Sequence, residues 1–306
     1  MNLNSVKVNL QYFLPKHFLT RAVGFFAAAK LGKATNYAIK LFINAYKINM
    51  DEADGEIEDF ETFNDFFSRA LKAGARPIDS ANDSVVFPAD GKISEFGDLR
   101  GDFQLQAKEH YFTTAALLGN RDDAKVFVDG KFMTVYLSPQ DYHRVHIPLA
   151  GKLLKMTYIP GELFSVNPLY TANIPELFSR NERVVCLFET AIGKVAVVFV
   201  GAAIVRSIVT AWAGVVAPSR RTEIHTETYE KQNVSFAKGD EIGKFMMGST
   251  VICLFEKNKV EFADALTREQ PTRVGQKMAV MKAGASKTVK RTPSAARTRT
   301  AKKKTA

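Results

Sequence analysis

Three short segments of this 306-residue chain contain side chains suited to catalysis. They are an Asp-Gly pair at Asp90 and Gly91, a His-x-x-His pair at His143 and His146, and a Gly-Ser-Thr run centred on Ser249. A serine hydroxyl becomes a good nucleophile when a base takes its proton, and that base works best when a third group orients it. Asp90, one histidine of the pair and Ser249 are the residue types that such an arrangement needs.

Each segment, taken singly, is more often structural than catalytic. Asp-Gly is a common turn, His-x-x-His occurs in structural positions, and Gly-Ser-Thr is a frequent loop sequence. Gly248 adds weight to the chemical interpretation, because a glycine before the serine leaves its carbonyl open to attack and allows unusual backbone angles. The residue types alone leave both interpretations open.

A metal site is the competing use of the two histidines. Zinc takes three or four ligands, but His17, His110 and His225 are scattered along the chain, and Cys186 and Cys253 lie in apolar runs typical of a core. Residues three apart on a strand point to opposite faces, so a shared metal would need a turn or helix there. The sequence predicts no metal, and two separate tasks for the pair.

The formal net charge of +10 is concentrated at the C-terminus. From Lys282 onwards the chain has nine Lys or Arg residues and no acidic residue, which leaves the rest nearly neutral. A stretch of Ala, Thr, Ser and basic residues cannot build a core, so residues 269–306 are predicted to be a basic, disordered tail. Because this tail has no aromatic residue for stacking on bases, we expect no nucleic-acid partner.

The rest of the chain divides into a helical N-terminus and a β-rich remainder. Residues 1–75 have amphipathic helical spacing, with a further helix expected over 62–70. Apolar helix faces more often pack on a core than enter a bilayer. Residues 76–268 alternate strand-like runs with turns and contain no linker. The predicted fold class is α+β, with N-terminal amphipathic helices packed on a β-rich catalytic core of mostly antiparallel strands.

Four pairs of strand-like runs predict hairpins. They are 84–87 with 92–96, 126–128 with 132–137, 184–189 with 194–200, and 250–255 with 260–262. The most apolar stretch, 195–218, is interrupted by Arg206 and indicates buried strands rather than a membrane span. No signal peptide is expected, because the first residues lack a charged region followed by an apolar run.

These segments together resemble the phosphatidylserine decarboxylase family over most of residues 10–265. The resemblance includes Leu14-Pro15-Lys16, Leu105–Lys108, Tyr136–Pro148, Gly161–Pro168 and the Gly-Ser-Thr run. The histidine segment is highly specific for this family. Met247 stands where bacterial members usually carry Leu, and a change between apolar residues of similar size is well tolerated.

The resemblance implies a proenzyme that cuts itself between Gly248 and Ser249. Asp90 would orient His146, which takes the proton of Ser249, and the freed oxygen would attack the Gly248 carbonyl. The products would be a β chain, 1–248, and an α chain, 249–306, that stay associated. Position 249 would become a covalent pyruvoyl group, the only cofactor, which forms a Schiff base with the amine of phosphatidylserine. His143 would protonate the resulting carbanion or position the carboxylate.

The implied lipid substrate changes the interpretation of the N-terminal helices. Residues 1–75 become the preferred contact with an anionic membrane surface, to which the basic tail would add. The resemblance also implies a peripheral location on the cytoplasmic face of the inner membrane and a homodimer of αβ units. Two alternatives remain open here. One is a pyruvoyl enzyme acting on a soluble amino acid or on S-adenosylmethionine, and the other is a non-enzymatic, basic-tailed protein that binds membranes or nucleic acid.

Overall fold

The computed structural model describes residues 3–13, 15–107, 110–202, 207–219, 221–246 and 249–282. Of the residues singled out above, Leu14, Lys108, Arg206, Met247, Gly248 and the tail from residue 283 lie outside these ranges. The described helices are α1 (Leu3–Phe13), α2 (Lys16–Ala28), α3 (Lys33–Tyr46), α4 (Phe63–Phe67), α5 (Thr114–Leu118), α6 (Arg121–Lys125), α7 (Pro168–Thr171) and α8 (Leu177–Arg180).

The described strands fall mainly between residues 84 and 281, and every pair of them is antiparallel. They are β1 (Ser84–Val86), β2 (Gly91–Asp98), β3 (Phe103–Ala107), β4 (His110–Thr113), β5 (Lys131–Leu137), β6 (Arg144–His146), β7 (Gly151–Ile159), β8 (Arg183–Thr190), β9 (Gly193–Val200), β10 (Ile208–Thr210), β11 (Gly214–Ala217), β12 (His225–Thr228), β13 (Ser235–Phe236), β14 (Glu241–Phe245), β15 (Ser249–Phe255), β16 (Val260–Phe262), β17 (Pro271–Thr272) and β18 (Lys277–Met281). The predicted α+β class with a mostly antiparallel core is confirmed.

The largest sheet has the order β12-β7-β8-β9-β15-β5-β2-β17, with β13 also paired to β7. Its strand β15 lies between β9 and β5, and all seven of its residues are buried. Val251, Cys253 and Phe255 enter one apolar core, whereas Ile252 and Leu254 enter the other. A strand that is apolar on both sides suits a sheet covered on both faces.

Strand pairing differs from the prediction in three of the four hairpins. The hairpin of β8 with β9 is confirmed. The runs at 84–87 and 92–96 contain β1 and β2, but β1 pairs with β18 while β2 pairs with β5 and β17. Likewise β15 pairs with β5 and β9, and β16 pairs with β18. Local turn signals do not say which distant strand a run will join.

The predicted strand at 126–128 is wrong. The Asn120 side chain accepts the N–H groups of Asp122 and Asp123 and so caps α6 at its N-terminus. Phe127 and Gly130 then donate N–H bonds within turns, to carbonyls three residues back, so the chain reaches β5 without forming a strand first. Only the second arm of that predicted hairpin is a strand.

The core extends beyond residue 269, where the sequence predicts the tail to begin. Strand β17 joins the largest sheet, and β18 pairs with both β1 and β16. Met278 and Ala279 of β18 are fully buried. The basic tail proper, 283–306, is outside the described residues.

The N-terminal helices form a layer with its own small core of Ile39, Ile48 and Phe66. The helix predicted over 62–70 is shorter, because a capping box between Thr62 and Asp65 starts α4 and the chain then turns away after Phe67. Within the described ranges, no helix is both long and apolar enough to span a bilayer.

Both cysteines are buried and free, as predicted for core residues. Cys186 on β8 and Cys253 on β15 both have Val197 of β9 as their cross-strand neighbour. They therefore lie two strand spacings apart, about 9–10 Å, which is beyond the Cα separation that a disulfide allows.

Candidate active site

Two chain segments pass side by side between the largest sheet and the four-stranded sheet β11-β10-β14-β6. One runs from β5 to β6 and the other from β14 to β15. Strand β5 pairs with β15, and β6 pairs with β14. The N–H of Phe245 donates to the His143 carbonyl at 2.9 Å, and Ser249 is the cross-strand neighbour of Leu137. We call this place the crossover region, the described residues 137–146, 245, 246 and 249. It brings His143 and Ser249 to the same part of the molecule.

Ser249 is the first residue of β15 and is fully buried. By the alternation of the strand it shares a face with Val251, on the side of the core that contains Leu137. Its Oγ has no hydrogen-bond partner among the residues that the structure describes. Because a buried hydroxyl without a partner costs stability, this atom calls for an explanation beyond packing.

His143 is held by the loop that follows β5. Asp141 closes this loop, since one of its carboxylate oxygens accepts from both the backbone N–H and the hydroxyl of Ser138 at 2.7 Å. The Asp141 carbonyl then accepts a hydrogen bond from Nδ1 of His143 at 2.8 Å, which leaves the proton on Nδ1 and a lone pair on Nε2. That Nε2 is buried, and no described residue is its hydrogen-bond partner. Complete burial lowers the pKa of His143 to about 3, so its ring is neutral.

His146 lies at the far end of β6 in a more polar setting. Its Nδ1 donates to the Gly239 carbonyl at 2.7 Å, and its Nε2 is 3.2 Å from the hydroxyl of Tyr142. Burial lowers the pKa of His146, and the hydrogen bond to Gly239 and the charges of Glu241 and Asp90 partly oppose that shift. The ring is therefore neutral at pH 7, with a lone pair on Nε2 that can accept a proton.

Asp90 is buried next to His146, but its carboxylate forms its hydrogen bonds with other groups. Its carboxylate accepts from Nε of Arg76 at 2.8 Å and from the backbone N–H of Val274 at 2.9 Å. Arg76 also bonds Glu52, which makes a buried ion triad. No hydrogen bond joins Asp90 to His146 in the described part of the chain, so Asp90 acts on the imidazole through its charge.

The backbone around Asp90 is fixed by a close approach of two strands. Gly91 has φ of +155°, and a Cβ there would lie 2.2 Å from the Tyr136 carbonyl oxygen, so β2 and β5 approach too closely for any side chain. The Pro88 carbonyl accepts from the backbone N–H of His146 at 2.8 Å. These two contacts place the Asp90 turn against β6.

Helix α4 covers the crossover region from the outside. The Phe67 ring lies 4.2 Å from the His143 ring, measured between centroids. Arg144 anchors the end of this helix, because its Nε donates to the Ser68 carbonyl at 2.9 Å while its Nη1 pairs with Glu241. The N-terminal layer therefore helps to keep water away from His143.

Sequence reasoning missed the groups that surround these candidates. Arg76 and Tyr142 contact Asp90 and His146, and Phe67 and Arg69 lie against the loop of His143. Tyr142 stands inside the quoted histidine segment, so its position was available as a signal. The other three are distant in sequence and nothing local marks them. No group of three or more metal-ligating side chains occurs among the residues for which coordinates are described.

The family models and the similar proteins all point to one family. A family model described as phosphatidylserine decarboxylase matches residues 63–280, and a model described as PSD matches residues 6–47. Phosphatidylserine decarboxylase proenzymes of Shewanella sediminis and Shewanella woodyi are 52% and 51% identical to the chain over 283 residues, which is 90% of this chain and 99% of each relative. The proenzyme of Shewanella baltica strain OS155 is 50% identical over 286 residues, covering 92% of this chain and 98% of the relative.

Proposed function

This chain belongs to the phosphatidylserine decarboxylase family, and from that premise we propose that Ser249 is the residue at which its proenzyme cuts itself. The reaction of the chain is the conversion of phosphatidylserine into phosphatidylethanolamine and carbon dioxide. The observation that carries the proposal is the buried Ser249 Oγ without a hydrogen-bond partner, in the region where His143 also has an unpartnered nitrogen. A serine hydroxyl that is not engaged in a structural hydrogen bond is available to attack the neighbouring peptide carbonyl.

His146 is the base for this step, and Asp90 supports it electrostatically. The neutral imidazole accepts the Ser249 proton at Nε2 while its Nδ1–H stays on the Gly239 carbonyl. The negative charge of Asp90 favours the imidazolium that forms. The serine oxygen bonds to the Gly248 carbonyl carbon, the peptide C–N bond breaks and an ester replaces it. Elimination at residue 249 then frees the Gly248 carboxylate, and water displaces the nitrogen as ammonia.

The pyruvoyl group left at position 249 would supply the electron sink that decarboxylation needs. Position 249 suits such a group because it is buried. Converting the serine would also break no hydrogen bond of Oγ to a described residue. His143 faces the substrate in the next stage. Its low pKa keeps the ring unprotonated until the substrate binds. An anionic headgroup that enters next to the ring raises that pKa. It then holds the proton that replaces carbon dioxide.

The intact mass of the purified protein tests this proposal. We expect two chains divided after Gly248, with the smaller one carrying a blocked, ketone-reactive N-terminus. Ser249→Ala is the matched control, because it removes the nucleophile and should remain one chain of about 34.0 kDa. A wild-type chain that stays whole after folding, or a cut at another bond, contradicts the proposal.

The N-terminal layer is the membrane contact in this proposal. Phe13, Phe18 and Phe25 are 84%, 70% and 72% exposed, and the basic residues Arg21 and Lys33 are exposed in the same layer. Large apolar side chains next to basic ones favour binding in the interface of an anionic bilayer. The enzyme would then sit peripherally on the cytoplasmic face of the inner membrane, as αβ units paired in a homodimer.

Sedimentation with phosphatidylserine-containing liposomes tests the membrane contact. Replacing Phe18 and Phe25 by Ser should weaken binding about tenfold or more, since each buried Phe contributes about 1.5–3 kcal/mol. The control is the same change at Val215 and Ile224, which are exposed on the β-rich core. Equal losses in both double variants contradict the assignment. Removing residues 283–306 should weaken binding at low salt without abolishing it.

A further inference from the structure

The buried guanidinium of Arg69 is attracted by nearby carboxylate charges, that of Asp141 most strongly, but it has few hydrogen-bond acceptors among the described residues. The residue is 4% exposed, and its Nε and Nη1 are buried without a hydrogen-bond partner. Its hydrogen bond to the Gln140 carbonyl is long, at 3.5 Å from Nη2. The guanidinium also lies over the Phe66 ring, 5.4 Å from its centroid. Burying a cation in this way is costly unless something else pairs with it.

A second buried arginine in the same chain shows how the fold satisfies such a group. Arg183 is 3% exposed, and three of its nitrogens donate to the carbonyls of Leu117, Ala116 and Asn181 at 2.6–2.8 Å. Every side-chain nitrogen of Arg183 therefore has a structural task. Arg69 has equal burial and no comparable set of acceptors, so packing alone does not account for it.

Arg69 lies beside the residue that the proposed mechanism uses on the substrate. Two consecutive carbonyls of one loop hold the two side chains, since Gln140 accepts from Arg69 and Asp141 accepts from His143. Phe67, two residues before Arg69, contacts the His143 ring. The charge of Arg69 reaches that imidazole and favours its neutral form. A ligand that contacts His143 is therefore within the influence of Arg69.

We propose that Arg69 binds the phosphodiester of the phospholipid headgroup in the cleaved enzyme. A guanidinium presents parallel N–H donors that match an oxyanion such as phosphate, and Nε and Nη1 are the two free donors here. The inference rests on the proposed function, because it assigns a residue to the substrate of that reaction. It applies after cleavage, since in the continuous chain both nitrogens are sealed from solvent.

The substrate also has a carboxylate, but its charge disappears as carbon dioxide leaves. A cation that held the carboxylate would stabilise the ground state more than the transition state and so slow the reaction. The phosphodiester keeps its charge from substrate to product. A buried guanidinium can hold the phosphodiester throughout without opposing the chemistry, and it then contributes to KM rather than to kcat.

Kinetics with a short-chain phosphatidylserine, used below its micelle concentration, test this assignment. Arg69→Met should raise KM about 10- to 100-fold, the range for a charge-assisted hydrogen bond, and change kcat much less. Short-chain phosphatidylethanolamine keeps the phosphate and lacks the carboxylate, so its inhibition constant should rise by the same factor. Arg69→Lys should lie between Arg69→Met and the wild type, because lysine keeps the charge but not the paired donors.

Thermal unfolding without lipid gives a second measurement. Arg69→Met removes a buried charge with few described hydrogen-bond acceptors and should keep or raise Tm, whereas Arg183→Met removes three hydrogen bonds and should lower it. A Tm loss for Arg69→Met as large as that for Arg183→Met would mean that Arg69 is structural and would overturn the proposal.

Three further results would also overturn it. They are an Arg69→Met chain that folds but is not cut, a raised KM with an unchanged phosphatidylethanolamine inhibition constant, and unchanged kinetics. The first would assign Arg69 to self-cleavage and the second to the carboxylate. A wild type that does not cut or release carbon dioxide would instead remove the proposed function, and this inference with it.

Discussion

His143 directly precedes the three-residue strand β6 and His146 ends it, and the two rings are held in the same way. Each donates its Nδ1–H to a backbone carbonyl, of Asp141 at 2.8 Å and of Gly239 at 2.7 Å. Each therefore presents Nε2 as an acceptor. The two surroundings differ in what faces that nitrogen. At His146 it is the Tyr142 hydroxyl, while Nε2 of His143 has no partner and its ring lies against Phe67.

In the proposed mechanism this difference gives two tasks to one residue type. Carboxylates next to His146 stabilise its protonated form, so this ring can take a proton within the protein. The apolar surroundings and the Arg69 charge next to His143 keep it neutral until a negative ligand arrives. Experiments that separate self-cleavage from decarboxylation can break or sharpen this comparison.

The largest effect is expected for His146→Ala. Without its base the chain should remain whole, and because the cofactor is then never formed, decarboxylation should be lost as well. A general base contributes about 10²–10⁴ in rate, so denaturing gels sampled over hours should show little cleavage. His225→Ala is the matched control, since the imidazole of that histidine bonds Glu227 at the surface. Normal cutting of His146→Ala contradicts the assignment.

His143→Ala should be cut normally and then decarboxylate about 10²–10⁴ times more slowly. The reason is that, in the proposed mechanism, its ring holds a proton for the substrate and takes no part in cleavage. Mass spectrometry and carbon dioxide release on the same sample separate the two steps. If His143→Ala stays whole while His146→Ala is cut, the two roles are reversed and the free Nε2 of His143 is the base that Ser249 uses.

Asp90→Asn should slow cleavage about tenfold, a smaller effect than loss of the base. Removing the charge lowers the pKa of His146 further, and a weaker base takes the Ser249 proton more slowly. Tm should fall as well, because Arg76 loses one of its two carboxylate partners. Glu52→Gln is the control, since it removes the other partner of Arg76 and leaves Asp90 in place. Equal cleavage rates in the two variants would show that Asp90 acts only on stability.

The smallest effect concerns stability against pH, measured in the uncut Ser249→Ala background. A depressed folded-state pKa means that the unfolded chain binds more protons below its own pKa. Stability should therefore be full above pH 6.5 and fall as pH drops from 6.5 towards the folded value of about 3 for His143. The slope is at most about 1.4 kcal/mol per pH unit for each histidine. Denaturant titrations should give a flatter profile for His143→Gln, and an unchanged slope contradicts the buried neutral state.

The sequence allowed the fold class and one complete hairpin to be predicted, because those depend on local signals. Two apolar runs joined by a two-residue turn at 191–192 are consecutive in the chain, and this closeness determines the pairing of β8 with β9. The partners of β15 were not predictable in this way, since a strand buried on both faces has no pattern to distinguish one neighbour from another.

The candidate site was predictable where its residues lie in short motifs and not where they are brought from a distance. Asp90, His143, His146 and Ser249 each stand in a quoted segment. Arg76 and Arg69 belong to the N-terminal layer and reach the site only because α4 and the following loop pack against β6. The residues next to an arginine in the sequence do not indicate whether its charge will be buried or paired.

The central position of β15 has a consequence for what happens after the cut. The α chain would supply β15, which lies between β5 and β9 of the β chain. It would also supply β17 and β18, which pair with β2 and β1 of the β chain. The proenzyme folds as one molecule, with the connection between β14 and β15 intact. Once that connection is broken, refolding becomes an encounter between two separate polypeptides. A processed molecule that unfolds should therefore recover poorly and in a concentration-dependent way, whereas the Ser249→Ala chain should refold with first-order kinetics.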